Sequence, residues 1–468
     1  MKQPRALYLY SLVDIWERFG FYTLRSILTL YFLHVLLLTQ SDTYSLFAAF
    51  SAYLYLTPVL GGIIADNILT CESCVYAGAV LLSIGYAVMP TPLPNAHIYS
   101  LSIIAIGSGL FMPNIANMVN RLYQKNDAGK EAGFSIFYTA INIGAFAPPL
   151  IAPFLIRYLG WSWAFEAAAL GVVIALLSFY AIQRSFVSQN KHLTTLWKNS
   201  LYFIGILFAE FIVLYLFLTH AHLANIALLI MGATYLFYSL YRSKKFQLNI
   251  KKKLLACHLL IIFSIVFGIL YQQSAMSLTV FTDRYVRHHL FGIDLTTPAF
   301  LALNPLFIVV LGPILAKLWA ELAKKNLNPS FTLKFSMGTI FMGLGFALLT
   351  FANLGGNQHF ISPVWLIVSY FLQTLGEMLV SPIGLSMVTD LSPTKMHGTM
   401  LGTWYFATAV SDCLAGYVSK LTIYKDAAVT PLAYYLQVFG EAGAVAILVG
   451  VVILFAVKPI NSIIQMSE

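Results

Sequence analysis

Charge is what this chain has least of. Only 10% of its 468 residues are Asp, Glu, Lys or Arg, where a soluble globular chain carries about 25%. Hydrophobic residues make up 59%, and mean hydropathy is +0.79. That balance excludes a soluble multidomain chain, and an aromatic content of 15% excludes a disordered one. Cysteine is scarce as well: Cys71, Cys74, Cys257 and Cys413 are too few for a disulfide framework. Cys71-x-x-Cys74 is half a metal or redox motif, and neither a second CxxC nor a nearby His completes it, so no metal is expected. No HExxH or GxSxG occurs and the apolar runs hold few His, so no enzyme, catalytic residue or cofactor is assigned. The first apolar segment is long and carries four charges, unlike a cleavable signal.

Long apolar runs fill the rest. A helix that crosses a bilayer needs about 20 mostly apolar residues. Fourteen stretches qualify, at 7–38, 43–65, 75–92, 98–121, 132–156, 161–183, 199–219, 223–241, 254–281, 298–320, 331–352, 363–389, 399–423 and 434–457. An even count places both termini on one side. With that side cytoplasmic, 20 of the 27 Lys and Arg fall there, five fall opposite, and Arg18 and Arg25 lie inside the first span. This positive-inside bias turns the net charge of +9 into a statement about topology and removes nucleic acid as a partner. A multi-pass protein of the cell inner (plasma) membrane with both termini cytoplasmic is expected. The densest basic run, Arg242 to Lys253, separates spans eight and nine. It implies an all-α polytopic protein in three parts: a six-helix bundle over 1–190, an inserted two-helix hairpin with its linker over 191–250, and a second six-helix bundle over 251–468. Two six-helix halves are similar to the major facilitator architecture, whose substrate site lies between repeats near the membrane midplane.

An ionisable residue within a span is costly and marks function by default. In the first span Asp14, Glu17, Arg18, Phe21, Tyr22 and Arg25 are spaced so that all six share a helical sector about 140° wide. Such a face must line a cavity or meet partner charges; the packing alternative is an intrahelical ion-pair ladder in which Glu17 and Arg18 take part. Arg25 stands one turn beyond and has no acid at i±3 or i±4. A planar fork of donors there suits a carboxylate, which it can bind bidentately. Glu377 is the one charge between Pro363 and Thr389, and Asp412 lies similarly deep in the thirteenth span. Asn142 and Asn304, each beside a Gly or Pro, serve equally well as interhelical glue or as readers of a ligand's backbone. Glu210, Glu441 and His258 fit packing roles better.

Asp14-Ile-Trp-Glu17-Arg18-Phe19-Gly20-Phe21-Tyr22 resembles the ExxERFxYY signature of the proton-dependent oligopeptide transporter family, within the major facilitator superfamily. Its FYxxINxG signature is intact at Phe137–Gly144. Leu303-Asn304-Pro305-Leu306-Phe307, Gly376-Glu377 with Ser381-Pro382-Ile383-Gly384-Leu385-Ser386-Met387, and Gly402-Thr403-Trp404 follow in order. The resemblance implies uptake of di- and tripeptides with protons by alternating access, in a lipid bilayer and without a cofactor. By the same resemblance, Arg25 holds the peptide carboxylate and Glu377 its amino terminus, with Asn142 and Asn304 beside it. Tyr22 and Tyr55 line the pocket, Trp404 is an aromatic wall, and Asp14, Glu17, Arg18 and Glu377 couple to protons.

Two departures bear on coupling. Met112 stands before Pro113-Asn114 where the family usually has Lys, and Gln272-Gln273 replaces its usual Glu-Gln. Those positions commonly form a salt bridge across the halves. Losing one partner of a buried pair costs about 3–5 kcal/mol, whereas replacing both can be neutral. The remaining readings are a member retuned to an amino acid or peptide-like metabolite, one uncoupled from protons, and a sensor that binds peptide without transporting it.

Overall fold

The structure, a computed structural model, describes residues 3–124, 129–186, 193–290, 292–325, 327, 329–353, 359–424 and 430–465. Lys2, Lys125, Lys191 and Lys425, counted above in the charge bias, lie outside these residues. The chain forms two compact units, Met1–Val35 with Ala49–Ala224, and Leu36–Ala48 with Asn225–Glu468. Among the described residues almost everything ordered is helical; the exception is a two-residue hairpin, β1 (His289–Leu290) against β2 (Ile293–Asp294).

The first unit holds α1 (Arg5–His34), most of α2 (Gln40–Asn67), α3 (Cys71–Val88), α4 (Ala96–Asn120), α5 (Lys130–Phe146), α6 (Pro148–Leu159), α7 (Trp161–Phe186) and α8 (Leu193–Thr219). The second holds the start of α2, then α9 (Ala221–Ser243), α10 (Leu248–Gln273), α11 (Ser277–Tyr285), α12 (Leu303–Lys324), α13 (Phe331–Ala347), α14 (Pro363–Leu391), α15 (His397–Leu421) and α16 (Pro431–Gln465). Among the described residues, twelve helical segments are long and apolar enough to cross a bilayer. The two remaining expected spans also form helices, α1 of 30 residues and α15 of 25, and both carry buried ionisable side chains. The molecule is a multi-pass membrane protein.

Several of the described spans are discontinuous. Pro148 and Pro149 lack the N–H that would continue α5, so the span Ala132–Leu159 restarts there as α6. Leu248–Tyr285 breaks between Gln273 and Ser277, where Met276 has left helical geometry at φ −116°, ψ −102°. Thr297–Lys324 opens with a 3-10 turn, Thr297–Ala302, before α12 begins at Leu303. Interrupted helices of this kind are tolerated where protein or a water-filled cavity re-satisfies the backbone.

Helices in lipid gain little from apolar burial against each other, so close approach through small residues holds them. In the first unit a Cβ on Gly144 of α5 would stand 2.5 Å from Ile15 O and 2.9 Å from Arg18 Cβ of α1. In the second, the backbones of Gly338 on α13 and Gly376 on α14 meet in the same way.

The two helices expected to form an inserted hairpin, α8 and α9, fall in different units. In α8, Tyr215 stacks on Tyr99 of α4 at 5.1 Å, inside the first unit. In α9, Tyr235 stacks on Phe406 of α15 at 4.7 Å and Asn225 donates to Ser45 O at 3.0 Å, inside the second. The start of α2 belongs with that second unit: Gln40 Nε2 donates to the hydroxyls of Tyr435 and Tyr44, and Gly416 of α15 lies against Ala48.

Candidate functional site

In the first unit the polar face of α1 is sealed against its neighbours. Asp14, Glu17 and Arg18 are all buried, Glu17 completely. Arg18 Nε and Nη2 both lie 2.5 Å from Glu17 Oε2, and Nε lies 3.9 Å from Asp14 Oδ1. The guanidinium also sits over the ring of Phe21, 5.3 Å from its centroid. The ion-pair ladder weighed from spacing is therefore present for these three residues, as one buried triad. It is under-satisfied: among the described residues Asp14 Oδ2 and Glu17 Oε1 have no hydrogen-bond partner. A buried carboxylate oxygen without a donor costs about 1–3 kcal/mol or more, which protonation relieves.

Both family signatures converge here. Gly144 closes the FYxxINxG stretch of α5 directly over Ile15 and Arg18. On the other side Gly20 meets Ala168 O of α7, where a Cβ would come within 2.9 Å. Asn142, six residues before Pro148, is buried and donates through Nδ2 to Tyr138 O at 2.9 Å. Beyond the triad, Tyr22, Arg25 and Tyr55 are half-buried, with Tyr22 edge-on to Phe21 at 5.3 Å. Arg25, seven residues past Arg18, is about 10 Å further along the axis. Met112 is half-buried in α4, its sulfur accepting from Ser108 Oγ at 3.0 Å.

The second unit carries the other acids. Asn304 emerges in the first turn of α12, where Pro305 costs no intrahelical bond. Its Nδ2 donates to Glu377 Oε2 of α14 at 2.5 Å and to Thr374 Oγ1 at 3.2 Å. Glu377 is 7% exposed, so one carboxylate oxygen is fixed by an amide while the group keeps a small opening. Thr374 escaped the sequence reading; its i−3 spacing from Glu377 places it on the same face and was the available signal. Trp404 of α15 lies against Gly384 of α14, where a Cβ would clash with the indole, and meets Phe335 at 6.4 Å. The Ser-Pro-x-Gly motif thus makes room for the indole.

One pairing has no sequence signal beyond the presence of its members. Gln272 Nε2 donates to Asp412 Oδ1 at 2.6 Å, joining α10 to α15, and both side chains are buried.

The match to known proteins covers nearly the whole chain. The model of the POT family matches residues 68–435. Dipeptide and tripeptide permease B of Photorhabdus asymbiotica is 32% identical over 473 residues, covering 98% of this chain and 96% of that one. Dipeptide and tripeptide permease A of Salmonella typhimurium is 31% identical, covering 99% and 94%. Among solved structures, a variant of peptide transporter POT in complex with alafosfalin superposes with a TM-score of 0.86 at 28% identity, covering 99% and 96%. A POT family transporter in complex with 5-aminolevulinic acid gives 0.84 at 28%, covering 98% and 97%.

Proposed function

Because the chain belongs to the POT family, we propose that it is a secondary active transporter that imports di- and tripeptides together with protons by alternating access. Peptide-like ligands in the related solved structures support the substrate class. The observation that carries the reading is the Glu377–Asn304 pair, a membrane-buried carboxylate held by an amide at 2.5 Å. A carboxylate so oriented is a receptor for a peptide's ammonium group, and Asn304 keeps it aimed when no substrate is present.

Arg25 supplies the complementary charge, a bidentate donor for the peptide's terminal carboxylate. Tyr22, Tyr55, Asn142 and Trp404 complete a wall that tolerates varied side chains. A zwitterion with a variable middle needs a fixed cation, a fixed anion and an adaptable surface, and the chain supplies residues of each kind. Asp14, Glu17 and Arg18 serve coupling: a triad with unsatisfied carboxylate oxygens gains by taking up a proton. Transport chemistry needs no bond made or broken, so no catalytic role is assigned. The positive-inside count supports a reading in which both termini are cytoplasmic and the protein sits in the inner membrane.

The test is uptake of labelled dialanine into proteoliposomes with and without an inwardly directed proton gradient. Accumulation above the outside concentration is expected only with the gradient. Equilibration that ignores the gradient would make this a facilitator, and the absence of any uptake would refute the substrate class.

A further inference from the structure

The turn between α9 and α10 concentrates one sign of charge on a small surface. Arg242, Lys244, Lys245, Lys251, Lys252 and Lys253 fall within 12 residues, and no Asp or Glu occurs between Glu210 and Asp283. At the end of α12, by contrast, Lys324 comes with an acid and pairs with Glu321 at 2.8 Å. The backbone gathers the six cations. α9 ends at Ser243 and α10 begins at Leu248. The amides of Lys244, Lys245 and Phe246 donate back to the carbonyls of Tyr241, Arg242 and Ser243, which keeps the connection tight. One turn inside α9, Ser239 meets His258 of α10 at 2.8 Å, so the two helices run side by side. Lys244, Lys245, Lys251 and Lys252 are exposed. Like charges this close repel one another, and an anion on the surface relieves the repulsion.

Two of the cations are seated on aromatic rings. The Arg242 guanidinium lies 5.9 Å from the centroid of Tyr238 and donates to its hydroxyl at 3.3 Å. The Lys245 ammonium lies 5.7 Å from the centroid of Tyr241. Each ring stands four residues before its cation, about 6 Å back along α9 at a helical rise. Tyr238, Tyr241 and the neighbouring Phe237 are exposed. Leu248, exposed at the start of α10, adds apolar surface beside Lys251 and Lys252, its i+3 and i+4 neighbours. Rings at one level with cations above them suit the boundary where acyl chains give way to headgroups. A guanidinium and an ammonium there match a phosphate diester in charge and in donor geometry.

We propose that the α9–α10 turn binds the headgroup of an anionic phospholipid. Arg242 and Lys245 hold the phosphate, Lys244, Lys251 and Lys252 supply the surrounding field, and Tyr238 and Tyr241 cover the start of the acyl chains. The site lies within the second unit alone and is independent of what the protein transports.

The experiment offers the purified full-length protein, in detergent at low salt, equal amounts of phosphatidylglycerol and phosphatidylcholine with the same acyl chains. Native mass spectrometry counts the lipids retained. Wild type should prefer phosphatidylglycerol. Each basic residue near an anionic headgroup is worth about fivefold, so Arg242→Gln with Lys245→Gln should lower the preference about 25-fold and leave four basic residues to fix topology. Lys317→Gln with Lys325→Gln removes the same charge from the end of α12 and should leave the preference within about twofold of wild type. Tyr238→Leu with Tyr241→Leu keeps every charge and should lower the preference several-fold, because the cations lose their seats; an unchanged preference removes the rings from the site. Equal retention of the two lipids by wild type overturns the proposal, as does an unchanged preference in the Arg242 and Lys245 variant. Equal losses in the two charge-removed variants also overturn it, by assigning the effect to net charge. Displacement of phosphatidylglycerol by an equal concentration of soluble glycerol phosphate would make the site one for a soluble anion and overturn the lipid assignment.

Discussion

At the scale of single residues, the proposed function assigns the two ends of the substrate to groups of different character. Arg25 is half-buried, and Arg25→Ala should leave the protein folded. Losing a charged partner for a carboxylate in a desolvated site costs about 2–5 kcal/mol, which lowers affinity for dialanine about 30-fold or more. Binding calorimetry on the purified variant measures this, and wild-type affinity would remove Arg25 from the site. Glu377→Gln retains a hydrogen-bonding partner for Asn304 and removes only the anion. That variant should bind dialanine weakly and no longer prefer it over its N-acetylated form; a retained preference places the ammonium elsewhere.

The buried charges behind these predictions were legible in the sequence, because an acid or arginine in an apolar run stands out and helical spacing says which ones share a face. Asp14, Glu17 and Arg18 meet as their spacing implied. What spacing could not give was the partner of Gln272: Asp412 lies 140 residues away, and only the packing of α15 on α10 brings the two together.

At the scale of elements, the interval between helices matters as much as their faces. Gly144 lets α5 touch α1 at the level of the buried triad. Gly144→Val would push Ile15 and Arg18 aside, an overpacking cost of about 1–3 kcal/mol. A lowered thermal unfolding midpoint together with lost driven uptake is expected, and neither would change if the helices can part freely. Helix breaks divide into those that the chain announces and those that it conceals. Pro148-Pro149 marks the first openly. The break at Ser274–Met276 contains neither Gly nor Pro, and the side chains that support it, Gln273 and Ser419, come from α10 and from α15. Local propensity has no record of such a contact.

At the scale of the whole molecule, hydropathy located fourteen stretches that form helices, twelve of them apolar enough to cross a bilayer among the described residues, since a bilayer imposes a length that any sequence must satisfy. It could not say that the inserted helices pack with different units, because both are apolar nearly all round. Their attachment is specific nevertheless. On α9, Ser239 Oγ lies 2.8 Å from Nε2 of the buried His258. Ser239→Ala strands that nitrogen and should destabilise the protein by about 1–3 kcal/mol. Tyr202→Ala on α8, 74% exposed, should stay within about 0.5 kcal/mol. Thermal unfolding of both variants in detergent checks the contrast, and equal midpoints would mean that α9 is as peripheral as the outward face of α8.

The shared helix α2 sets a schedule for assembly. Its first turns belong with the second unit, where Gln40 donates to Tyr435 across 395 residues of chain. At about 5–20 residues added per second, Tyr435 is synthesised about 20–80 s after Gln40. Through that interval the polar start of α2 lacks its final partner while the remainder of the same helix already has neighbours to pack against. The nascent protein therefore spends its longest wait with one helix half-docked, and a membrane insertase or chaperone that shields α2 would act in that window.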